Sequence, residues 1–187
     1  MKKKTIITIR HTESEHHVKG MTGGVSYWNL TDLGKEQAYK VGQWLAKNEN
    51  LTDFKMLSSD LPRTAQTAQE ICKSVNLNTE YTEKLREIDL GEGNGIPCEV
   101  YDKTISPKPA VYNPNHRSFP HAENDTELWS RMKSVYDSII ESGEENFVLV
   151  SHGGALLFLH LVIIGKCLND IKNNYYFGKA GCVSKFV

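Results

Sequence analysis

The sequence predicts an α/β domain: a three-layer sandwich with a mostly parallel central sheet, helices on both faces and a small lid insertion. Three observations predict it. Short apolar runs rich in β-branched residues alternate with longer segments of helical periodicity, the pattern of a parallel sheet covered on both sides. Two of the apolar runs, at 5–9 and 146–150, break off into histidine at the start of a loop. The stretch from Pro97 to Pro120 holds five of the six prolines and no period of either kind, which marks about 97–125 as a lid or small insertion. With 187 residues the chain suits a single domain, 1–187, with a sizeable core.

Taken in order, Thr5 to Ile9 reads as a buried strand. Residues 11–30, rich in Gly, His and Ser, read as a long loop. A helix begins at Thr31 or Asp32, with Thr31 as N-cap and Leu33, Ala38, Val41, Trp44 and Leu45 at core spacing. Phe54 to Leu57 forms a second strand that ends at Ser58-Ser59-Asp60. The helix after it, about Arg63 to Val75, carries Ala65, Ala68, Ile71 and Cys72 on one face. A short strand within 79–86 leads into the glycine-rich REIDLGEGNG. After the proline-rich stretch, a helix from about Asp125 to Glu141 buries Leu128, Met132, Val135 and Ile139, with Trp129 also at core spacing. A strand ending near Val150 then gives way to an apolar helix reaching Ile164, where His160 reads as a core or flank residue. The terminal CVSKFV suits an edge strand.

Composition narrows the function. The formal net charge of -1 gives no field favouring nucleic acid or an acidic membrane, so any anion must be held by a local cluster. The four cysteines are far apart without CxxC spacing and read as reduced thiols, not a disulfide framework or a zinc site. The apolar stretch after MKKK is too short for a signal peptide, and Ala155 to Ile164 is about half a membrane span. These features suit a soluble, cytoplasmic protein.

The chemistry gathers at one edge. Ligands of parallel α/β sheets bind outside the carboxyl ends of the strands. Arg10 and His11 follow one strand, His152 follows another, and Arg63 opens the helix after a third. Two guanidiniums and two imidazoles gathered there would repel one another unless an anion sat between them. Phosphate fits: arginine offers paired donors, and the helix start at Gly153 offers backbone amides.

The segments RHTES, LSSDLPRTAQTA, LREIDLGEGNG and VSHGG resemble, in order, the four signatures of the histidine phosphatase (phosphoglycerate-mutase-like) superfamily, over residues 10–154. The resemblance implies a phosphohistidine mechanism. His11 is then the nucleophile and Glu87 the general acid and base. Arg10, Arg63 and His152 hold the phosphoryl oxygens, helped by the Gly153 amide. It implies no cofactor and no metal, because the cationic ring itself stabilises the transferring group. Arg10 and Arg63 should depress the His11 pKa and keep the imidazole neutral.

Two positions depart from the family pattern. Thr12 stands where glycine is usual and offers a hydroxyl donor; His17 stands where an asparagine commonly contacts the phosphoryl group and can make the same contact. Glu13 belongs to the first motif and can orient a neighbour. His11, His16 and His17 also invite a metal, but no fixed helix or strand spacing presents them to one ion, so none is expected. MTGG resembles the Thr-Gly pair that touches substrate in mutases, which adds Thr22 and Gly23 to the expected substrate contacts. The chain is short for a mutase, and FPHAENDTELWSRM resembles the PGGES stretch of the small phosphatases, with His121-Ala122 in place of the glycine pair. The expected activity is therefore hydrolysis of a small phosphorylated metabolite, with a mutase and a non-catalytic phospho-ligand module as the alternatives. Neither nucleic acid nor membrane is an expected partner; a homodimer is left open.

Overall fold

The computed structural model describes residues 4–173 and 178–187; of the basic start, Lys2 and Lys3 lie outside them. Its sheet has five strands in the order β3-β2-β4-β1-β5. β1 (Thr5–Arg10) and β4 (Asn146–Ser151) run parallel with Arg10 opposite Ser151. β2 (Phe54–Ser59) continues the parallel pairing on the far side of β4, and β3 (Thr79–Thr82) closes that edge. β5 (Val183–Phe186) is antiparallel to β1 and forms the other edge, as expected of CVSKFV.

The side-chain period of two along a strand divides the core into two layers. Ile7, Ile9, Val148, Val150 and Met56 face α2 (Asp32–Asn48) and α3 (Pro62–Cys72). Their sequence neighbours Ile6, Phe147 and Leu149 face α5 (Asp125–Glu141) and α6 (Gly153–Ile163). Leu128, Met132, Val135 and Ile139 of α5 are all buried, as its spacing predicts. Burying a side chain of this size stabilises by roughly 2 kcal/mol. Asn124 and Glu127 cap α5 reciprocally, each side chain accepting from the other's backbone N–H at 3.0 and 3.1 Å.

The expected α2 face needs correcting. Ala38 and Leu45 are buried, but Leu33 and Trp44 are 52% and 50% exposed. Gly42 rests against α3 so closely that a Cβ there would stand 2.7 Å from the Ile71 carbonyl oxygen, and this contact turns Trp44 outward. Two expected loops also contain helices: α1 (Glu15–Lys19), and α4 (Cys98–Thr104) inside the proline-rich stretch. The short strand expected within 79–86 is β3, which passes after Thr82 into a 3-10 turn at Glu83–Leu85.

Candidate active site

Three parallel strands end at the same edge, and the residues just beyond their carboxyl ends build the site. The register that sets Arg10 opposite Ser151 also sets His11 beside His152, their ring centroids 5.2 Å apart. β2 ends at Ser59, and Arg63 enters from the first turn of α3. All three of these charged or titratable side chains are enclosed: His11 is 2%, Arg63 1% and His152 0% exposed.

His11 is held in one tautomer. Its Nδ1 lies 2.8 Å from the Thr12 carbonyl oxygen, which can only accept, so Nδ1 carries the hydrogen and Nε2 the lone pair. Arg63 Nε donates to that Nε2 at 3.3 Å. One hydrogen from each Arg63 terminal nitrogen reaches the carbonyls of Ser26 and Gly24, at 2.8 and 2.7 Å. Gly24 makes this turn with φ of +53°, and a Cβ there would overlap Asn94 Oδ1 at 2.0 Å, so only glycine serves.

Burial is the main force on these imidazoles. It holds His11 well below its ordinary pKa, with Arg63 adding to the effect. His152 is held down by the same two causes. Burial also draws the Arg63 guanidinium down to about 10, still protonated at neutral pH. The crowding of like charges is thus relieved without an anion, because both histidines stay uncharged. The lowering expected of Arg10 acts not on His11 but, behind burial, on His16 and His17.

Arg10 donates from one terminal nitrogen to the Gly178 carbonyl at 2.7 Å and packs against Gly153, where a Cβ would stand 3.2 Å from its Cζ. Among the described residues, the two buried side-chain nitrogens without a hydrogen-bond partner are Arg10 Nε and His152 Nδ1. Both belong to this site. Ser59 Oγ lies 2.9 Å from the other nitrogen of His152 and fixes that ring.

Glu87 sits on the amino end of α6. Its carboxylate accepts from the Gly154, Ala155 and Ile88 amides at 3.1, 2.9 and 3.0 Å. Arg131 of α5 fastens the segment that carries it. Its guanidinium reaches the carbonyls of Lys84, Arg86 and Glu87 while pairing with Glu123 at 2.7 Å. Ser59 and Arg131 are positioning residues that the motifs contain without revealing, since only the folded contacts show what they hold.

Other expected contacts are engaged within the protein. The Thr12 hydroxyl donates to the Gly34 carbonyl of α2 at 2.8 Å and is turned away from the role of phosphate donor. Glu13 accepts from the Thr31 hydroxyl at 2.6 Å and so ties the first motif to the cap of α2. The Thr22 hydroxyl reaches the Gly93 carbonyl at 2.6 Å, and Gly23 lies over His16. His17 stacks on His11 with centroids 5.5 Å apart and an interplanar angle of 13°. The absence of a spacing that would present His11, His16 and His17 together is also corrected. α1 brings one nitrogen of each within 4.8 Å of the others.

A histidine phosphatase superfamily (branch 1) family model matches residues 6–186, nearly the whole chain. The chain belongs to the histidine phosphatase superfamily. Within that superfamily it is 32% identical over 164 residues to a Yersinia pestis protein named probable phosphoglycerate mutase GpmB, covering 86% of this chain and 74% of the relative. The same fold is seen in a mycobacterial glucosyl-3-phosphoglycerate phosphatase, with a TM-score of 0.78, 21% identity and coverage of 97% and 90% of the two chains. It recurs in the alpha-ribazole phosphatase of Shigella flexneri, with a TM-score of 0.81, 22% identity and coverage of 97% and 89%.

In this superfamily member a cleft of about 610 Å³ opens beside Glu87, between residues 83–89 and 117–131. Its arginines are already paired: Arg86 with Asp60, Arg117 with Glu127 and Arg131 with Glu123. His121, on the cleft wall, has φ of +60°, the one non-glycine residue in the left-handed region among the described residues. A larger cavity of about 910 Å³ lies near the amino ends of β1 and β4, beside Lys4, Tyr136 and Phe186. It holds none of the histidines or arginines of the site; its lining mixes apolar side chains with Lys4, Asp137, Glu141 and Glu145.

Proposed function

We propose that this chain is a metal-independent phosphomonoester hydrolase that works through a phosphohistidine. The observation that carries the reading is the fixed tautomer of His11, with an unprotonated Nε2 beside the Arg63 guanidinium. Nε2 attacks phosphorus in line, the bond from phosphorus to the ester oxygen breaks, and Glu87 protonates the departing alkoxide. Water then attacks the phosphohistidine, Glu87 takes its proton, the P–N bond breaks and inorganic phosphate leaves.

The supports follow the charge. Arg10 and Arg63 stabilise the three equatorial oxygens, and His152 Nδ1 is free to donate when Ser59 donates to the opposite nitrogen. The Thr12 carbonyl stabilises the positive charge that grows on the His11 ring as the P–N bond forms. His17, stacked beside His11, and the Gly153 amide complete the phosphoryl contacts. The cleft beside Glu87 receives the leaving group, with residues 97–125 as the lid on one side. Its mixed and paired charges suit a small, polar phosphorylated metabolite.

The test is phosphate release from p-nitrophenyl phosphate in EDTA. Native turnover that His11→Ala abolishes and Glu87→Gln lowers by ~10²-fold or more is the expected result. Turnover that survives His11→Ala would overturn the mechanism. Because one relative is named a mutase, the same preparations are assayed for conversion of 3-phosphoglycerate to 2-phosphoglycerate; conversion faster than phosphate release would replace the hydrolase by a phosphotransferase.

A further inference from the structure

His16 takes no part in the proposed hydrolysis, yet it is nearly buried in the site wall and lies against both neighbouring rings. Its centroid is 5.8 Å from that of His11 and 4.0 Å from that of His17. One nitrogen from each of the three rings lies within 4.8 Å of the other two. We propose that His11, His16 and His17 form a three-imidazole site for a divalent transition-metal ion of the zinc type, whose binding shuts off phosphoryl transfer. The inhibitory consequence rests on His11 as nucleophile; the metal site itself does not.

The ligand set is the kind that zinc accepts, three neutral imidazoles with a fourth position for water. A tetrahedral ion with zinc–nitrogen bonds of about 2.0–2.1 Å holds its nitrogens roughly 3.3 Å apart. Closing from 4.8 Å therefore needs shifts of about an ångström, within reach of side-chain torsions. Two rings are already steadied through Nδ1, His11 by the Thr12 carbonyl at 2.8 Å and His16 by Ser14 Oγ at 2.7 Å. This leaves Nε2 of each as the ligand atom, the arrangement in which an outer partner fixes ring and tautomer. His17 is exposed and gives the ion its path from solvent.

Two guanidiniums and one hydrogen bond from a backbone amide oppose binding; Arg10 acts on His16 and His17 as Arg63 does. The ion must replace the long hydrogen bond from Arg63 to His11 Nε2, and it stands near that guanidinium. His17 Nδ1 accepts from the Ser14 amide at 3.2 Å, so ligation through Nε2 requires it to change tautomer and release that amide. Together these lower the affinity below that of a structural zinc site and leave the ion exchangeable. Occupation takes the Nε2 lone pair that would attack phosphorus. No bond in the substrate is then made or broken.

The experiment uses the full chain stripped with EDTA and then freed of it. Cobalt(II) is added and its visible ligand-field absorption followed, zinc is titrated as competitor, and p-nitrophenyl phosphate turnover is read over the same zinc range. We expect one ion per chain, inhibition reversed by EDTA, and a rise of ~10-fold or more in half-inhibiting zinc for His16→Gln. Zinc-free turnover of that variant should stay near the native rate. His17→Asn, read by cobalt binding alone with its circular dichroism checked, should show the same weakening and serves if His16→Gln does not fold. No stoichiometric binding by the native chain, or unchanged zinc sensitivity in His16→Gln, would overturn the site. A chain without turnover would still give the cobalt and zinc binding result, so failure of the hydrolase reading is seen separately.

Discussion

Mild acid should weaken this fold before its carboxylates begin to titrate. His11 and His152 are fully enclosed and stay uncharged because burial, and then Arg63, hold their pKa values well below 6.5. In the unfolded chain each takes up a proton near pH 6.5. Their folded-state values are depressed, so the stability they allow is complete above pH 6.5 and is lost as pH falls below it. Between pH 7 and 5 each costs roughly 2 kcal/mol, about 4 kcal/mol for the pair. A domain's whole stability is about 5–15 kcal/mol. His16, lowered to about 3, and His160, lowered to about 4, act in the same direction.

The assay is urea unfolding at pH 7, 6 and 5 at constant ionic strength, followed by far-ultraviolet circular dichroism. The midpoint should fall steadily across that range. His160 gives an independent handle because it sits on α6, with Nε2 2.7 Å from Thr8 Oγ1. His160→Gln keeps a polar partner for Thr8 but cannot titrate, so its pH 7 to 5 loss should be smaller than the native one. A midpoint that stays flat from pH 7 to 5 would refute the view that enclosed neutral histidines are a built-in acid liability.

At the site, Gly154→Ala sets a Cβ 2.6 Å from Glu87 Oε1 and forces the carboxylate off the α6 amides. We expect kcat to fall ~10–100-fold, while Tm falls by only a few degrees, the lost amide contacts being partly offset by alanine's preference for the helix; a chain unfolded at the assay temperature would show the effect to be unfolding. In the core, Leu128→Ala empties a fully buried position between α5 and the sheet and should cost about 2–5 kcal/mol in urea unfolding, with kcat unchanged at 25 °C.

The order of elements and the edge that carries the chemistry were legible because both follow from local pattern. TIITIR and NFVLVS are apolar until the residue where the strand leaves the core, and that residue is where the site starts. The α5 stripe was legible for the same reason. The inner face of α2 was not, because it is set by how closely two backbones approach. Gly34 against the Glu13 carbonyl and Gly42 against Ile71 bring small residues inward, and apolar periodicity carries no sign of that. α1 is only five residues long, too short for a period, yet it decides where His16 and His17 point. Thr12 reads as a donor next to the nucleophile until α2 is in place and its hydroxyl is found on Gly34. Sequence names the groups available at the edge; which of them remain free depends on contacts between residues far apart in the chain.

The proline-rich segment is fastened at both of its ends. At the start, Met21 pairs with Pro97 and the Cys98 amide donates to the Gly20 carbonyl at 2.8 Å. At the finish, the Glu123 amide donates to the Asp89 carbonyl at 2.7 Å, and Arg131 holds Glu123. Between these moorings the Ser106 amide donates to the Ser118 carbonyl at 2.9 Å, and the segment is tied to the start of α5, where the Tyr112 hydroxyl donates to Asp125 at 2.9 Å and the Thr126 amide to the Pro114 carbonyl at 3.1 Å. On the proposed reading, the part of this lid open to exchange is therefore 107–111, which lies away from these moorings; a stretch of different length or polarity there would change what meets the substrate while the ties to Gly20, Met21, Asp89 and α5 stay in place.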